Sequence, residues 1–579
     1  MKDSKLEAMR HSLSHIMAQA VLELYPGTKL AIGPSIDTGF YYDFDTEHSF
    51  TPEDLPKIEK KMRQIIKEDQ KFEQFDKDID QAIKDFEKDQ DVYKLEMAKE
   101  LKSEGENKLS FFQNVDKNEK IRFIDMCSGP HVKSTGKIGA FTLDKVAGAY
   151  WKGDEKNKML QRIYGLAFAK QKELDQYLEL REEAEKRDHK KLGKELDLFS
   201  FHEEGPGFTF WHSKGMVLWH TLMEYWYEIH RKEYKEVKTP ILLREKLWHQ
   251  SGHWDNYKDD MYFTKIDDDG YALKPMNCPG NILIYKSTMH SYRDFPLRWA
   301  EIGLVHRNEM SGVLNGLFRV RAFHQDDAHI YCRPNQIKDE IKKVMELIDE
   351  IYTTFHLEYM VEFSTRPEKS IGTDEVWENS EKIIKEVLDE SKMKYELNEG
   401  DGAFYGPKID YHIKDSLGRT WQCGTIQLDF SMPERFDINY IEEDGKKHRP
   451  VMLHRTAYGA IERFLGILIE HYAGAFPVWL APVQAKVIAV GEGHNSLVEE
   501  LAIKLKQAGL RAEADISDET VGNKIRKAEM EKVPYMLVFG DKEKDSGVLN
   551  IRKRGEKDTF EKKTEEFIEM VKKEIKNKN

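Results

Sequence analysis

Five short segments carrying histidine and cysteine, spread over hundreds of residues, constrain this chain more than any other feature. One pair, His11-Ser-Leu-Ser-His15 and Cys127-Ser-Gly-Pro-His131, sits in the first quarter. The other set lies between residues 278 and 454: Cys278 in KPMNCPG, His329 in QDDAHI and His454 in MLHRT. Across this second set runs an arginine–acid–arginine array suited to nucleotide phosphates. Two separated polar centres suggest two chemistries acting on one substrate.

At 579 residues, 40% of them apolar, the chain has material for three or four domains. A net charge of −14 excludes a protein coated in basic surface, so any polyanion site must be locally basic. Four cysteines in dissimilar contexts predict a reducing cytosol and no disulfide framework. There is no run of about 18 apolar residues and no signal-peptide core. A soluble cytoplasmic protein without a membrane partner is expected.

Residues 5–24 read as a helix in which Leu6, Met9, Leu13, Met17, Ala20 and Leu24 form one apolar stripe. His11 and His15, one turn apart, face away from it and are expected to line a surface or cleft. Residues 54–90 read as charged helix, followed by strand-like runs up to Ile121–Met126. From Phe168 to Leu196 the sequence is charged and free of Gly and Pro until Gly193, which predicts a linker helix. Between Phe199 and Pro477, short aromatic and β-branched runs broken by Gly and Pro predict a mixed α+β domain with a largely antiparallel sheet. Beyond Pro477, strands at 487–490, 511–514, 535–539 and 548–552 alternate with helices at 496–509, 522–531 and 564–576, an α/β signature.

In the middle domain, Arg307-Asn308-Glu309 offers a bidentate cation for phosphate or carboxylate beside an acceptor for an exocyclic amine. Arg319 and Arg321 alternate into RVRAFHQDD with Phe323 on the same face, so one strand face could hold a triphosphate and stack a base. Gly459-Ala-Ile-Glu-Arg463 adds an arginine at the start of an apolar helix. Any one of these arginines reads most simply as a surface salt bridge. The ordered set argues for phosphate.

These strings resemble the threonyl-tRNA synthetases of class II. Tyr234-Lys-Glu-Val-Lys-Thr-Pro240 is similar to motif 1, His306 through Phe323 to motif 2, and His454 through Arg463 to motif 3. The strings SGHWDNY, KPMNCPG, RVRAFHQDDAHI, GAFYGPKID and WQCGTIQLDF are long, and the likeness runs from Arg10 to about Arg552. The resemblance implies ATP-dependent ligation of L-threonine to tRNA(Thr) through threonyl-adenylate, with hydrolytic editing of seryl-tRNA(Thr), by a homodimer. It implies an α+β multidomain chain: an editing domain at 1–165, a linker helix at 166–198, an antiparallel-sheet catalytic core at 199–477 and an α/β anticodon-binding domain at 478–579.

By the same resemblance, Cys278, His329 and His454 bind one zinc ion per subunit. Three N/S ligands with a fourth position open is a catalytic zinc pattern, although scattered Cys and His by themselves read as a packed thiol and ordinary histidines. Cys332, three residues after His329, is not used in the family pattern. Threonine and valine are near isosteres, and a site that coordinates amine and hydroxyl rejects valine far more strongly than shape can. Met276, Gln325, Asp327, Tyr405 and Gln427 match positions around threonine. Arg307 would hold its carboxylate and the α-phosphate, Glu309 the adenine amine and Phe323 the ring. Arg319 and Arg463 would neutralise the outer phosphates of ATP, which brings Mg2+. Lys408, Gln422 and Thr425 match positions near substrate and ribose. His253 in SGHWDNY matches the proton acceptor for transfer to tRNA, or is a structural histidine beside Trp254.

Serine also offers an amine and a hydroxyl, and its missing methyl is worth only about 1–3 kcal/mol, so a second, hydrolytic site is expected. The resemblance implies that His11, His15, Lys94, Asp125, Cys127 and His131 form it with polar side chains and water. Spacing alone favours a second zinc site. In the tail, Lys524, Arg526, Glu543 and Arg552 match anticodon contacts. Departures from the family pattern are Asp518 for Asn, Ala460 for a small hydroxyl residue and Asn281 for His. The N-terminal ubiquitin-like domain is missing from the sequence, whether naturally or by truncation. Two further readings stay open: a paralogue that binds RNA without ligating, and a zinc hydrolase whose central domain merely binds nucleotide.

Overall fold

The computed structural model describes residues 4–415 and 418–578. It divides into two compact units, Met1–Glu182 and Glu183–Asn579.

The first unit is built around helix Ser4–Leu24. Its apolar stripe enters a core with Phe40, Phe44 and Ile58, but nearly every residue from Ala8 to Val21 is buried. Ala and Ser on the other faces let neighbouring strands and helix Leu55–Glu68 approach closely. Of the expected pair, His15 is consequently 1% exposed and His11 keeps partial access; both line a cleft rather than an open surface. Strands Lys29–Leu30, Gly39–Asp45, Met159–Phe168 and Ala140–Tyr150 form an antiparallel sheet, with Ser35–Ile36 added at Gly39–Asp45. Residues 54–90 are not continuous helix. Asp69 adopts φ 53° and ends helix Leu55–Glu68; strand Lys71–Asp78 then pairs with Lys108–Val115 before helix Ile79–Lys88 begins. That strand is an edge of the sheet Lys71–Asp78, Lys108–Val115, Ile121–Met126, where its charges stay in water.

The run expected as one linker helix is two, Gln171–Arg187 and His189–Glu195. Asp188 breaks it by accepting the backbone N–H groups of Lys190 at 2.7 Å and Lys191 at 3.2 Å.

In the second unit, eight strands form the central sheet in the order Lys235–Glu236, Leu297–His306, Ala322–Cys332, Val451–Ala460, Thr420–Asp429, Lys408–Lys414, Tyr359–Ser364, Tyr395–Asn398. Pairing is antiparallel except at the two edges. One large core joins it to helices Ser213–His230, Ile337–Thr354 and Ile461–His471, to Leu192 of helix His189–Glu195 and to Leu196, which caps that helix. The sheet kinks at Asp326, whose carboxylate accepts N–H from Ala457 (3.0 Å) and Gly459 (3.0 Å). Gly459 has φ +71°, and a Cβ there would lie 2.6 Å from the Cys423 carbonyl oxygen. The tail forms a sheet in the order Ala512–Asp515, Ala485–Ala489, Tyr535–Phe539, Val548–Lys553, Thr559–Lys563, parallel at the first three strands. The short helix Asp541–Ser546 and the charged edge strand Thr559–Lys563 were not expected.

Candidate active sites

Sheet register assembles the central site. His329 lies opposite His454, His454 opposite Gln427, and Gln427 opposite Lys408. Two residues along, and therefore on the same face, runs the row Glu301, Asp327, Thr456, Thr425, Asp410. Cys278 joins from the first position of helix Cys278–Lys286.

One donor atom from each of Cys278, His329 and His454 lies within 4.8 Å of the others, and all three residues are buried. Neither ring nitrogen of His329 has a hydrogen-bond partner, a costly state for a buried imidazole. His454 Nε2 is 2.9 Å from Asp429 Oδ2, which leaves its other nitrogen for a ligand. Burial, then the carboxylates of Asp327 and Asp429, push the Cys278 thiol well above its ordinary pKa. A cation in the gap would offset both effects. The set fits zinc with one position open. Cys332 is buried in the main core instead and takes no part in the cluster.

Beside this cluster opens a cleft of about 1100 Å³, open solvent included. Met276, Arg307, Glu309, Arg319, Phe323, Gln325, Asp327, Tyr405, Gln422, Thr425, Gln427 and Arg463 all line it. The Arg307 guanidinium lies 5.0 Å from the Phe323 ring centre and 5.6 Å from that of Tyr257. Arg319 pairs with Glu309 at 2.9 Å. Arg463 donates to the Phe318 and Gln422 carbonyls, both at 3.0 Å. Burial lowers its pKa, and Arg307 and Arg319 press in the same direction. Three guanidiniums crowded together are repaid by a polyanion.

Three expected residues stand elsewhere. Arg321 does not share a strand face with Phe323: the strand begins at Ala322, and Arg321 ties the preceding loop through Glu309 O (2.9 Å) and Pro206 O (3.0 Å). Lys408 does not line the cleft. It pairs with Asp410 at 2.7 Å, and Asp410 holds Gln422 Nε2 at 2.6 Å and Thr425 Oγ1 at 3.0 Å. His253 is fully buried, with Nε2 3.2 Å from Met276 Sδ, so Met276 is its route to the cleft. Burial lowers its pKa to about 3, leaving a neutral ring. Sequence reasoning missed Asp429, Asn277, Thr456 and Asp410. Only Asp410 left a signal, the Lys-Ile-Asp alternation on one strand face; Asn277 holds Asp327 through a contact at 3.0 Å spanning fifty positions.

The second site lies in the first unit. Cys127 Sγ is 3.3 Å from both His11 Nε2 and His131 Nε2. Lys94, on helix Val92–Ser103, pairs with Asp125 at 2.5 Å; both are buried, and Tyr42 OH donates to Asp125 at 2.5 Å. His131 Nδ1 meets Ser12 Oγ at 3.0 Å and its ring stacks on Phe72 at 5.0 Å. Burial lowers the pKa of His11, His15 and His131 and raises that of Cys127 to about 11. A cleft of about 940 Å³, open solvent included, is lined by His11, His15, Lys94, Asp125 and Cys127. Tyr42, Ser12 and Phe72 carried no signal in the sequence. Donor atoms of His11, His15, Cys127 and His131 also lie within 4.8 Å of one another, so spacing for a metal is present.

In the tail, Arg526 is exposed, while Arg552 pairs with Glu529 at 3.0 Å. Lys524 is buried against the Ala489 carbonyl (3.0 Å), and Glu543 accepts the Gly540 N–H (2.9 Å). Those two side chains serve the fold itself.

An antiparallel sheet flanked by helices, carrying an arginine-lined cleft between its second and third motifs, defines a class II aminoacyl-tRNA synthetase core. Residues 262–472 match the tRNA synthetase class II core domain (G, H, P, S and T), 484–574 an anticodon binding domain, and 116–164 the threonyl and alanyl tRNA synthetase second additional domain. The threonine–tRNA ligase of Carboxydothermus hydrogenoformans is 58% identical over 577 residues, 100% of this chain and 90% of that one. That of Acetivibrio thermocellus is 57% identical over 573 residues, 99% and 89% of the two chains. The crystal structure of the RNA binding domain of threonyl-tRNA synthetase from Cryptosporidium parvum is 39% identical with a TM-score of 0.65, covering 67% of this chain and 98% of that one. The chain belongs to the threonine–tRNA ligase family.

Proposed function

We propose that this chain ligates L-threonine to tRNA(Thr) with ATP, through threonyl-adenylate, and hydrolyses mischarged seryl-tRNA(Thr) in its first unit. The observation that carries the reading is the placement of Cys278, His329 and His454 at one end of a cleft lined by Arg307, Arg319 and Arg463.

Cys278, His329 and His454 would hold zinc, which when bound would supply a Lewis acid for the amine and hydroxyl of threonine, the second of which valine lacks. Asp327, oriented by Asn277, accepts from the hydroxyl. Arg307, steadied between two rings, holds the carboxylate and α-phosphate during attack. Arg319 leaves Glu309 for the outer phosphates of ATP, which arrives with Mg2+, and Glu309 is then released to the adenine amine. Lys408 acts through Asp410 to set Gln422 and Thr425. Neutral His253 accepts the ribose proton in transfer once Met276 moves aside.

In the first unit, His11, partly accessible and 3.3 Å from Cys127 Sγ, is placed to take a proton from attacking water, with His15 and His131 packed beside it. Lys94 and Asp125 fix one another and orient the ester. A second reading has an ion at His11, His15, Cys127 and His131, favoured by their mutual distances. Among the described residues no helix is long and apolar enough to cross a membrane. Family membership supports action in the cytoplasm as a homodimer, with the motif 1 strand Lys235–Glu236, an edge of the central sheet, at the interface.

Threonine-dependent ATP–pyrophosphate exchange, run beside metal analysis, tests the reading. Exchange with threonine and not valine, with one zinc per chain, is expected. No exchange above a zinc-stripped control would favour a binding paralogue instead.

A further inference from the structure

Leu317 and Phe318 line the cleft from the loop between Asn308 and Arg321. Behind that loop sits His189, the first residue of helix His189–Glu195 and 1% exposed. Its Nε2 accepts the Leu317 backbone N–H at 3.0 Å, and its Nδ1 lies 2.8 Å from Glu470 Oε1. These two contacts define a neutral ring with its proton on Nδ1. The imidazole centre is 4.1 Å from that of Phe318, and Trp421 approaches Phe318 at 4.2 Å. Glu470 is buried too: Arg419 donates to its second oxygen at 2.7 Å, and the His189 backbone N–H reaches the first at 3.2 Å. Gly316 has φ +49°, and a Cβ there would lie 2.2 Å from His189 Nε2. No side chain fits at that approach.

We propose that His189 is a positioning residue for ATP, acting through Leu317 and Phe318 to set the loop that carries Glu309 and Arg319. The same hold fixes the Phe318 carbonyl, which receives Arg463 Nε at 3.0 Å. A backbone N–H offers one direction only, and the neutral imidazole meets it while Glu470 locks the tautomer. The proposal rests on the reading of the cleft as an ATP site. It differs from a simple fold-stabilising His–Glu pair because the two ring nitrogens have separable roles.

Substitution separates them. Asparagine can place a donor near the Nδ1 position and keep Glu470, but it is too short to reach Leu317. Glutamine can place an acceptor near the Nε2 position. In pyrophosphate exchange by the intact enzyme, His189→Asn should raise the KM for ATP about tenfold, as for loss of one buried hydrogen bond, with the KM for threonine and zinc content unchanged. His189→Gln should recover most of that loss. Equal behaviour of the two variants, or KM values for ATP and threonine moving together, would overturn the proposal. Hydrogen exchange on the unsubstituted enzyme gives a readout that needs no variant: the Leu317 amide should be protected relative to those of Ser311 and Gly312, and equal exchange would also overturn it. If the unsubstituted enzyme shows no threonine-dependent exchange, the ATP-site reading fails; if it does and the variants are indistinguishable from it, only the role of His189 fails.

Discussion

Asp429 braces His454 from behind: its Oδ2 lies 2.9 Å from His454 Nε2, while Oδ1 accepts the backbone N–H groups of Ser431 at 2.7 Å and Met432 at 2.9 Å. The carboxylate is held on both sides, so it fixes the orientation of the imidazole as a ligand. Asp429→Asn should weaken zinc retention about 10–100-fold, the usual cost of losing such an outer partner. Chelator competition measures it. Retention equal to the parent's would remove Asp429 from the account.

Cys278→Ala should lose the metal and abolish threonine activation, because two imidazoles alone make a poor zinc site. Metal content and pyrophosphate exchange are the checks. Should activity survive with threonine still preferred over valine, the ligand assignment is wrong.

His131→Ala should leave threonine activation intact, since that residue belongs to the first unit. Seryl-tRNA(Thr) should then accumulate. Clearance at the parent rate would count against hydrolysis at this site. Two zinc ions per parent chain, falling to one in the variant, would establish the alternative reading of His11, His15, Cys127 and His131 as an ion site.

Acid should loosen the first unit. Burial lowers the pKa of His15, aided by His11 and Lys94, below the ordinary value of 6.5. The folded chain then binds fewer protons than the unfolded one, so the stabilising contribution is present above pH 6.5 and lost as pH falls. For a fully buried imidazole the loss is about 1.4 kcal/mol per pH unit. Burial also lowers the pKa of His11 and His131, which adds to it. Hydrogen-exchange protection of helix Ser4–Leu24 should fall between pH 6.5 and 5; a flat response would contradict this.

Local pattern alone determined much of this protein. The 3.6-residue stripe placed helix Ser4–Leu24, and β/α alternation placed the tail strands and helices to within about two residues. Cys278, His329, His454, Arg307 and Arg463 were picked out through the family resemblance of the strings that carry them; taken singly, their side chains read as a packed thiol, ordinary histidines and surface salt bridges. Tertiary structure decided what depends on distant partners. It broke the charged run at 54–90 with an edge strand, because pairing with Lys108–Val115 outweighs helix propensity. It buried His15, turned Arg321 into a loop tie and set Lys408 behind Asp410. It also recruited Asp429, Asn277, Tyr42 and His189, polar residues whose roles appear only when sheet register or helix packing supplies the atom they bind. A hydrogen bond requires its two ends to meet, and one dimension cannot show which ends do.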